Sequence, residues 1–489
     1  MSVNRSNSPL EQAVNDYRLR FRWLWLAAAG CALFVISVLV ILGRHDDDGA
    51  GRQIRADGAA SSRPLGTANP EPAHGEPSFH HSERISTPEP TPEQVIAQKV
   101  QKFGLKRRQL VRAIARSSKK EVPAEIERFF DALERGEWEE INSQWHELAV
   151  HSGQYDYSTN HWEWIDPFWP TVLDAYGVAE QAHNWPAQQL LDYGNAVLAA
   201  LRPGMVYVGG TDPGRWIPEL LNETAGGEEH IMITQNAFAD GRYLDFLNTL
   251  YRDQMQTLTT DDSQRAFQEY LMNAKQRFEH DQQFPDEPKQ ILPGENVQIV
   301  DGQIHVTGAA AVMAVNEKLL EALMQKNPDM SFAIQESYPL QGTYGDALPL
   351  GPLMELNASN GQNGFTEQRA AQSLDFLRNT TQQVLSDFDA TGSEEVLKTY
   401  SHEAVSAANL LAAHNFESQA EEAYRLAVQL CPASPESVAG LANLIAANGK
   451  EAEARQLIND FVQKYPDQQK TLDQITAGMK IIATMTPKP

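Results

Sequence analysis

The chain has 489 residues, 65 of them acidic against 40 basic, and two cysteines. Its length exceeds the usual ~100–150-residue domain several-fold, so several structural units are expected. A formal net charge of −25 opposes a role in which the whole chain coats nucleic acid or an anionic bilayer, and two cysteines exclude a disulfide scaffold.

Residues 1–22 form a basic tail, and Trp23 to Gly43 then carries no charge. At ~1.5 Å per residue this run spans ~31 Å, enough for a hydrocarbon core of ~30 Å. Arg18, Arg20 and Arg22 precede it and Asp46, Asp47 and Asp48 follow, so residues 23–43 are expected to anchor a single-pass membrane protein with its N-terminus in the cytoplasm and its bulk outside. No A-x-A site follows the run, which favours an anchor over a cleaved signal. Residues 44–92, rich in Gly, Ala, Ser, Pro and His, read as a disordered tether with a reach of ~40 Å.

Residues 93–203 read as a helical region. Its first segment, 95–120, holds Lys99, Lys102, Lys106, Arg107, Arg108, Arg112, Arg116, Lys119 and Lys120, with Ile96, Val100, Phe103, Leu110 and Ile114 at helical spacing. That basic amphipathic helix has two uses: attraction to anionic lipid headgroups, or docking on the acidic remainder of the chain. Ile126, Phe129, Phe130 and Leu133, a stop at Gly136, then Trp138, Ile141, Trp145 and Leu148 predict a short-looped helical hairpin. Further helices are expected over Trp169–Glu180 and Pro186–Leu201. Six of nine tryptophans lie between Trp138 and Trp185. Exposed indoles among them, beside Asp156, Glu163 and Asp166, would suit sugar rings, whereas the seven-residue step from Trp138 to Trp145 is core spacing. His146 and His151 resemble a zinc-peptidase pair but stand five apart, ~140° around a helix rather than on one face. No metal site and no cofactor are expected.

Residues 204–362 read as an α/β domain. Met205–Val208, a Gly209–Gly214 turn, a helix over Arg215–Glu223 and His230–Thr234 form a strand–helix–strand unit. Asp212 can cap that helix, with Pro213 in its first turn. Val297–Val300 and Gln303–Val306 flank Asp301-Gly302, a tight-hairpin signal. A helix over Ala309–Lys326 leads to a strand at Ser331–Ile334, and Leu353–Leu356 supplies the last strand. Glu336 and Tyr344 lie past a strand end, where α/β sheets place ligands. Asp212, Arg215, Glu336 and Tyr344 are the candidate ligand-binding residues. No catalytic set is legible, since GxSxG, GxGxxG and GxxxxGK[ST] are all absent.

The GGTDPGR turn, with Ser331–Ile334 and the segment Gly351–Leu356, resembles the soluble tail of bacterial protein O-mannosyltransferase-like membrane proteins. In that family, transferase chemistry is attributed to acidic residues in loops between many membrane helices, of which this chain has one. The resemblance therefore implies a fold and a compartment, the periplasmic side of a bacterial inner membrane, and a glycan-binding or carbohydrate-active accessory role as the alternative function.

Residues 363–400 read as a helical connector containing helices over Thr366–Leu385 and Glu394–Tyr400. Over 401–468 two segments match at a period of 34: Ala420 with Ala454, Tyr424 with Ile458, Ala427 with Phe461 and Pro432 with Pro466, with Ala408 and Ala442 at the small position where paired helices touch. This is similar to the tetratricopeptide repeat, and the resemblance implies an α-solenoid offering a groove to protein partners. Residues 469–489 would add a capping helix and tail. The whole reads as a membrane-anchored multidomain α plus α/β protein whose leading function is that of an extracytoplasmic interaction scaffold or assembly factor, leaning away from catalysis and with no nucleic-acid partner.

Overall fold

Helix α1, Pro92–Ser117, opens on a capping box in which Thr91 accepts from the Gln94 N–H while the Gln94 side chain accepts from the Thr91 N–H. It is the first element of a computed structural model that describes residues 89–477 except 154–160, 228, 293, 301–302, 341 and 357–363. The expected tail, membrane segment and nearly all of the tether, together with the end of the chain, lie outside the described residues. Among the described residues no helix is long and apolar enough to cross a membrane.

The expected hairpin follows as α2 (Ala124–Arg135) and α3 (Trp138–His151), with Gly136 at φ 71° ending the first arm. Helices α4 (Trp169–Asn184) and α5 (Ala187–Ala200) then lead to strand β1, Val206–Gly209. Helix α6 (Asp212–Thr224) connects β1 to a parallel β2 (Ile231–Thr234), completing the strand–helix–strand unit. Helices α7 (Gly241–Tyr251) and α8 (Thr260–Gln283) precede the hairpin β3 (Asn296–Val300) and β4 (Gln303–Thr307). That hairpin forms its own two-stranded sheet.

Helix α9, Ala309–Lys326, returns the chain to β5 (Phe332–Ile334), parallel to β1 on the side away from β2. Two short antiparallel strands, β6 (Leu348–Leu350) and β7 (Leu353–Leu356), finish a mixed sheet of order β2-β1-β5-β7-β6. Both faces of the sheet are covered. Tyr207, Met232, Ala333 and Leu353 join one core with the N-terminal helices, while Val206, Val208, Ile231, Ile233, Phe332 and Ile334 point into a second core with α7, α8 and α9.

The sheet's edges are closed. On β2 the backbone N–H groups of Met232 and Thr234 donate to the hydroxyls of Tyr251 and Tyr243, at 3.3 and 2.8 Å. The other edge, β6, is three residues long and carries Pro349. Both devices blunt edge-to-edge pairing.

The C-terminal part is helical: α10 (Glu367–Ser386), a short α11 (Phe388–Thr391), α12 (Glu394–Ala413), α13 (Glu417–Leu430), α14 (Pro435–Ala447), α15 (Glu451–Lys464) and α16 (Gln469–Ala477). The connector helix expected over Glu394–Tyr400 and the first helix of the repeat are one continuous helix. Helices α13 and α15 begin and end at a spacing of 34, and so do the ends of α12 and α14. Ala408 and Ala442, Ala420 and Ala454 are all fully buried at matching positions, as close helix contacts require. Tyr424, Ala427 and Phe461 are buried too, with Ile458 packed beside them. Pro432 follows α13 and Pro466 follows α15.

Candidate functional site

Three loops leave the carboxyl ends of the parallel strands β1, β2 and β5, and they meet. The Asn236 amide after β2 donates to the Gly210 carbonyl after β1 at 2.6 Å, and the Ser337 hydroxyl after β5 donates to the Asn236 side-chain oxygen at 3.1 Å. Between β1 and β5 the chain leaves in opposite directions, which is where open α/β sheets form a ligand crevice. Here the crevice is filled from within. The Gln335 amide oxygen accepts from the Thr211 N–H at 3.1 Å, while its nitrogen faces the hydroxyls of Thr211 and Tyr193. A Cβ on Gly210 would fall inside van der Waals distance of Gln335 O, Ser337 N and the Glu336 carbonyl carbon, so the two loops touch backbone to backbone.

The four candidate residues separate into two pairs. Asp212 is the first residue of α6, behind a Thr211 cap, and Arg215 donates to Asp174 of α4 at 3.0 Å. Burial pushes the Asp212 carboxyl up to about 7, against the pull of Arg215 and with the push of Glu395. Glu180 joins this group and is raised to about 8 by burial and by Asp212. Glu336 and Tyr344 form the second pair, the Tyr344 hydroxyl donating to Glu336 at 2.9 Å while the Leu340 N–H donates to the other carboxylate oxygen at 2.9 Å.

Two buried polar networks flank the crevice, and sequence reading found neither. In the first, Arg107 of α1 is 3% exposed and reaches Asp174 and Glu219 at 2.8 Å and Glu223 at 2.6 Å. Burial opposes ionisation of Asp174, but Arg107 and Arg215 hold its carboxyl low. Glu219 is pushed far up by burial and by Asp174. Its protonated form is thereby favoured, which eases the crowding of three carboxyls around two guanidiniums. Around this knot, Lys99 donates to the Thr224 hydroxyl, Lys102 to the Thr224 carbonyl and Lys106 to the Glu223 carbonyl. Three ammonium groups thus cap the negative end of the α6 dipole. Arg108 binds Glu127, Asp131 and Glu134 on α2. The basic helix spends most of its charge inside the protein.

The second network sits between the sheet and α12. Glu403, fully inside the protein, is raised to about 8 by burial, with a hydrogen bond from Tyr193 pulling the other way. One of its oxygens has no hydrogen-bond partner among the described residues. Glu336 is likewise raised to about 8 by burial, against the N–H of Leu340 and the hydroxyl of Tyr344. Both line a cavity of about 20 Å³, with Gln335, Ser373 and Ser406, which is room for one water.

Of the tryptophan-rich stretch, Trp145, Trp169 and Trp185 are buried. Trp162 and Trp164 are half-buried and stacked, their centroids 5.1 Å apart, with His151 stacked on Trp162 at 3.6 Å. His161 and Arg242 flank them, both bound to Asp166. Asp156 lies outside the described residues. No protein-family model matches this sequence, and no curated protein or solved structure matches it significantly.

Proposed function

We propose that the described residues form a protein-interaction scaffold, held by the 23–43 segment at the periplasmic side of a bacterial inner membrane. The observation that carries this reading is the closure of the sheet crevice: the place where such a fold would hold a small ligand is occupied by Gln335 and by loop-to-loop backbone contact. What is left for recognition is surface. The paired helices α12–α13 and α14–α15 repeat at the tetratricopeptide period, and such arrays act through their faces. Of the helices that would line a groove, α12 is already packed against β6, β7 and the loop after β5. The proposed partner surface is therefore the outer, polar side of α13 and α15. Membrane contact by the basic helix narrows to its end, Arg116, Lys119 and Lys120, since the preceding cations are paired.

Reversing charge at the exposed and repeat-equivalent Glu417 and Glu451 should abolish co-purification of the partner protein, while Asp212→Asn and Glu336→Gln should leave it intact. The opposite pattern would return the function to the sheet loops. A second reading, glycan binding, is favoured by the Trp162–Trp164 stack beside Asp166 and Arg242. Sugar-dependent quenching of tryptophan fluorescence, lost in Trp164→Ala, would establish it.

A further inference from the structure

We infer that α12 is latched to the sheet around two buried carboxyls without a cationic partner, Glu336 and Glu403, and that their ionisation releases the C-terminal helices from the α/β layer. The latch is an interface with five points of contact. His402 and His414, on and just past α12, place Nε2 against the backbone carbonyls of Glu336 and Tyr344, at 2.9 and 2.7 Å. Glu403 projects toward Tyr193 of α5 and Gln335 after β5, and Ser406 faces Glu336. Leu410 from the same helix closes the second core.

The chemistry of the latch follows from what surrounds the two carboxyls. Around Glu403 stand the phenols of Tyr193, Tyr207 on β1 and Tyr400. Around Glu336 stand Tyr344, Tyr338, Glu317 of α9 and Tyr424 of α13. Among the described residues, neither carboxyl has a lysine or arginine partner. An ionised carboxylate here would be desolvated without a counter-ion, and Glu317 would repel it from Glu336. The Glu403 oxygen without a partner among the described residues lies at a cavity with room for one water, far less than the solvation an exposed carboxylate receives. A protonated carboxyl is neutral and needs no counter-ion, so the docked helix selects the proton-bound form. By linkage, release must take these protons off.

The sign is set by the raised values, about 8 for both groups. Docking is strongest near the ordinary carboxyl range and weakens as pH rises toward 8, roughly tenfold per pH unit for each carboxyl that regains its ordinary value on release. This device does not depend on the scaffold reading, because it concerns only how α12 is seated.

The test is hydrogen–deuterium exchange of the full-length protein at pH 6 and pH 8, corrected for intrinsic exchange, read on peptides from α12 and, as an internal reference, from α1. Protection of α12 should fall at least tenfold between the two while α1 holds, and the fall should shrink below threefold in Glu336→Gln/Glu403→Gln. That variant keeps His402 and His414, so a fall of undiminished size in it would assign the effect to the histidines and overturn the inference. Equal α12 protection at both pH values in the wild type would also overturn it. Should the double variant not fold, Glu403→Gln alone must lessen the fall, and no change in that variant counts against the latch.

Discussion

The knot around Arg107 and the latch around Glu403 bury acidic groups equally well and satisfy them in opposite ways. In the knot, guanidiniums from α1 and α6 favour ionisation of Asp174, while burial and Asp174 push the neighbouring Glu219 the other way. At the latch no cation arrives from the described residues, and phenols accompany two carboxyls that burial drives toward neutrality. The difference traces to composition. With 65 acidic and 40 basic residues, cations are the scarce partner, and nine of them lie on or just after α1. Charge pairing is therefore available where α1 packs, against α4 and α6, whereas the C-terminal joint must use protons instead.

The most damaging way to break this contrast is Arg107→Met, which strands Glu223 without its counter-ion and leaves Asp174 with Arg215 alone. Unfolding in urea should show a loss of about 3–5 kcal/mol. Next comes pH. Groups with raised values, among them Glu180, Asp212, Glu336 and Glu403, take up protons on folding, so their contribution should be full only below the ordinary carboxyl range, at about pH 4, and be lost progressively as pH rises from there to about 8. Glu403→Gln should remove its share, making the variant more stable than wild type at pH 8 by on the order of 1–3 kcal/mol and near-neutral at pH 5. On the acid side the paired carboxylates act the other way: Asp262, held at about 2 by Lys326 and Thr259 against its burial, loses its contribution as pH falls through 4 to 2.

Smaller effects sharpen the picture of the closed sheet. Gly210→Ala forces the β1 and β5 loops apart, with an expected cost of about 1–3 kcal/mol in thermal unfolding. Tyr243→Phe leaves the Thr234 N–H on the edge strand without its partner and should cost about 1 kcal/mol. Lys106→Ala, removing an exposed pair with Glu229 and one of three lysine caps on α6, should cost about 0.5 kcal/mol.

Much of this architecture was legible in the chain. The helix over Ala309–Lys326, the hairpin around Asp301-Gly302, the β1–α6–β2 unit and the 34-residue step all rest on local periodicity and turn chemistry, which survive packing. Strand β6 was not legible, because three residues with a central proline read as turn; only pairing with β7 makes them a strand. The continuity of α12 was hidden by the repeat pattern, which begins inside that helix. Harder still were Gln335, Glu403 and Arg107. Arg107 is one cation in a basic run and only its buried position, which follows from Phe103 and Val111 on the same stripe, sets it apart. Nothing local distinguishes Glu403 from the exposed glutamates of neighbouring helices, since its environment is assembled from α5, β1 and β5, far away in sequence. The candidates Asp212, Arg215, Glu336 and Tyr344 stand out in the sequence by their place at strand and helix ends, and the structure puts them there as two separate pairs, each tied into one of the buried networks.

The central claim, that this protein works through the outer surface of its C-terminal helices and not through the sheet crevice, is tested most directly by crosslinking the full-length protein in native membranes and mapping the attached peptides. Reproducible protein crosslinks should fall on α13 and α15, within 417–464, and vanish with charge reversal at Glu417 and Glu451. Crosslinks confined to the loops bearing Asn236 and Ser337, unaffected by that reversal, would contradict the claim.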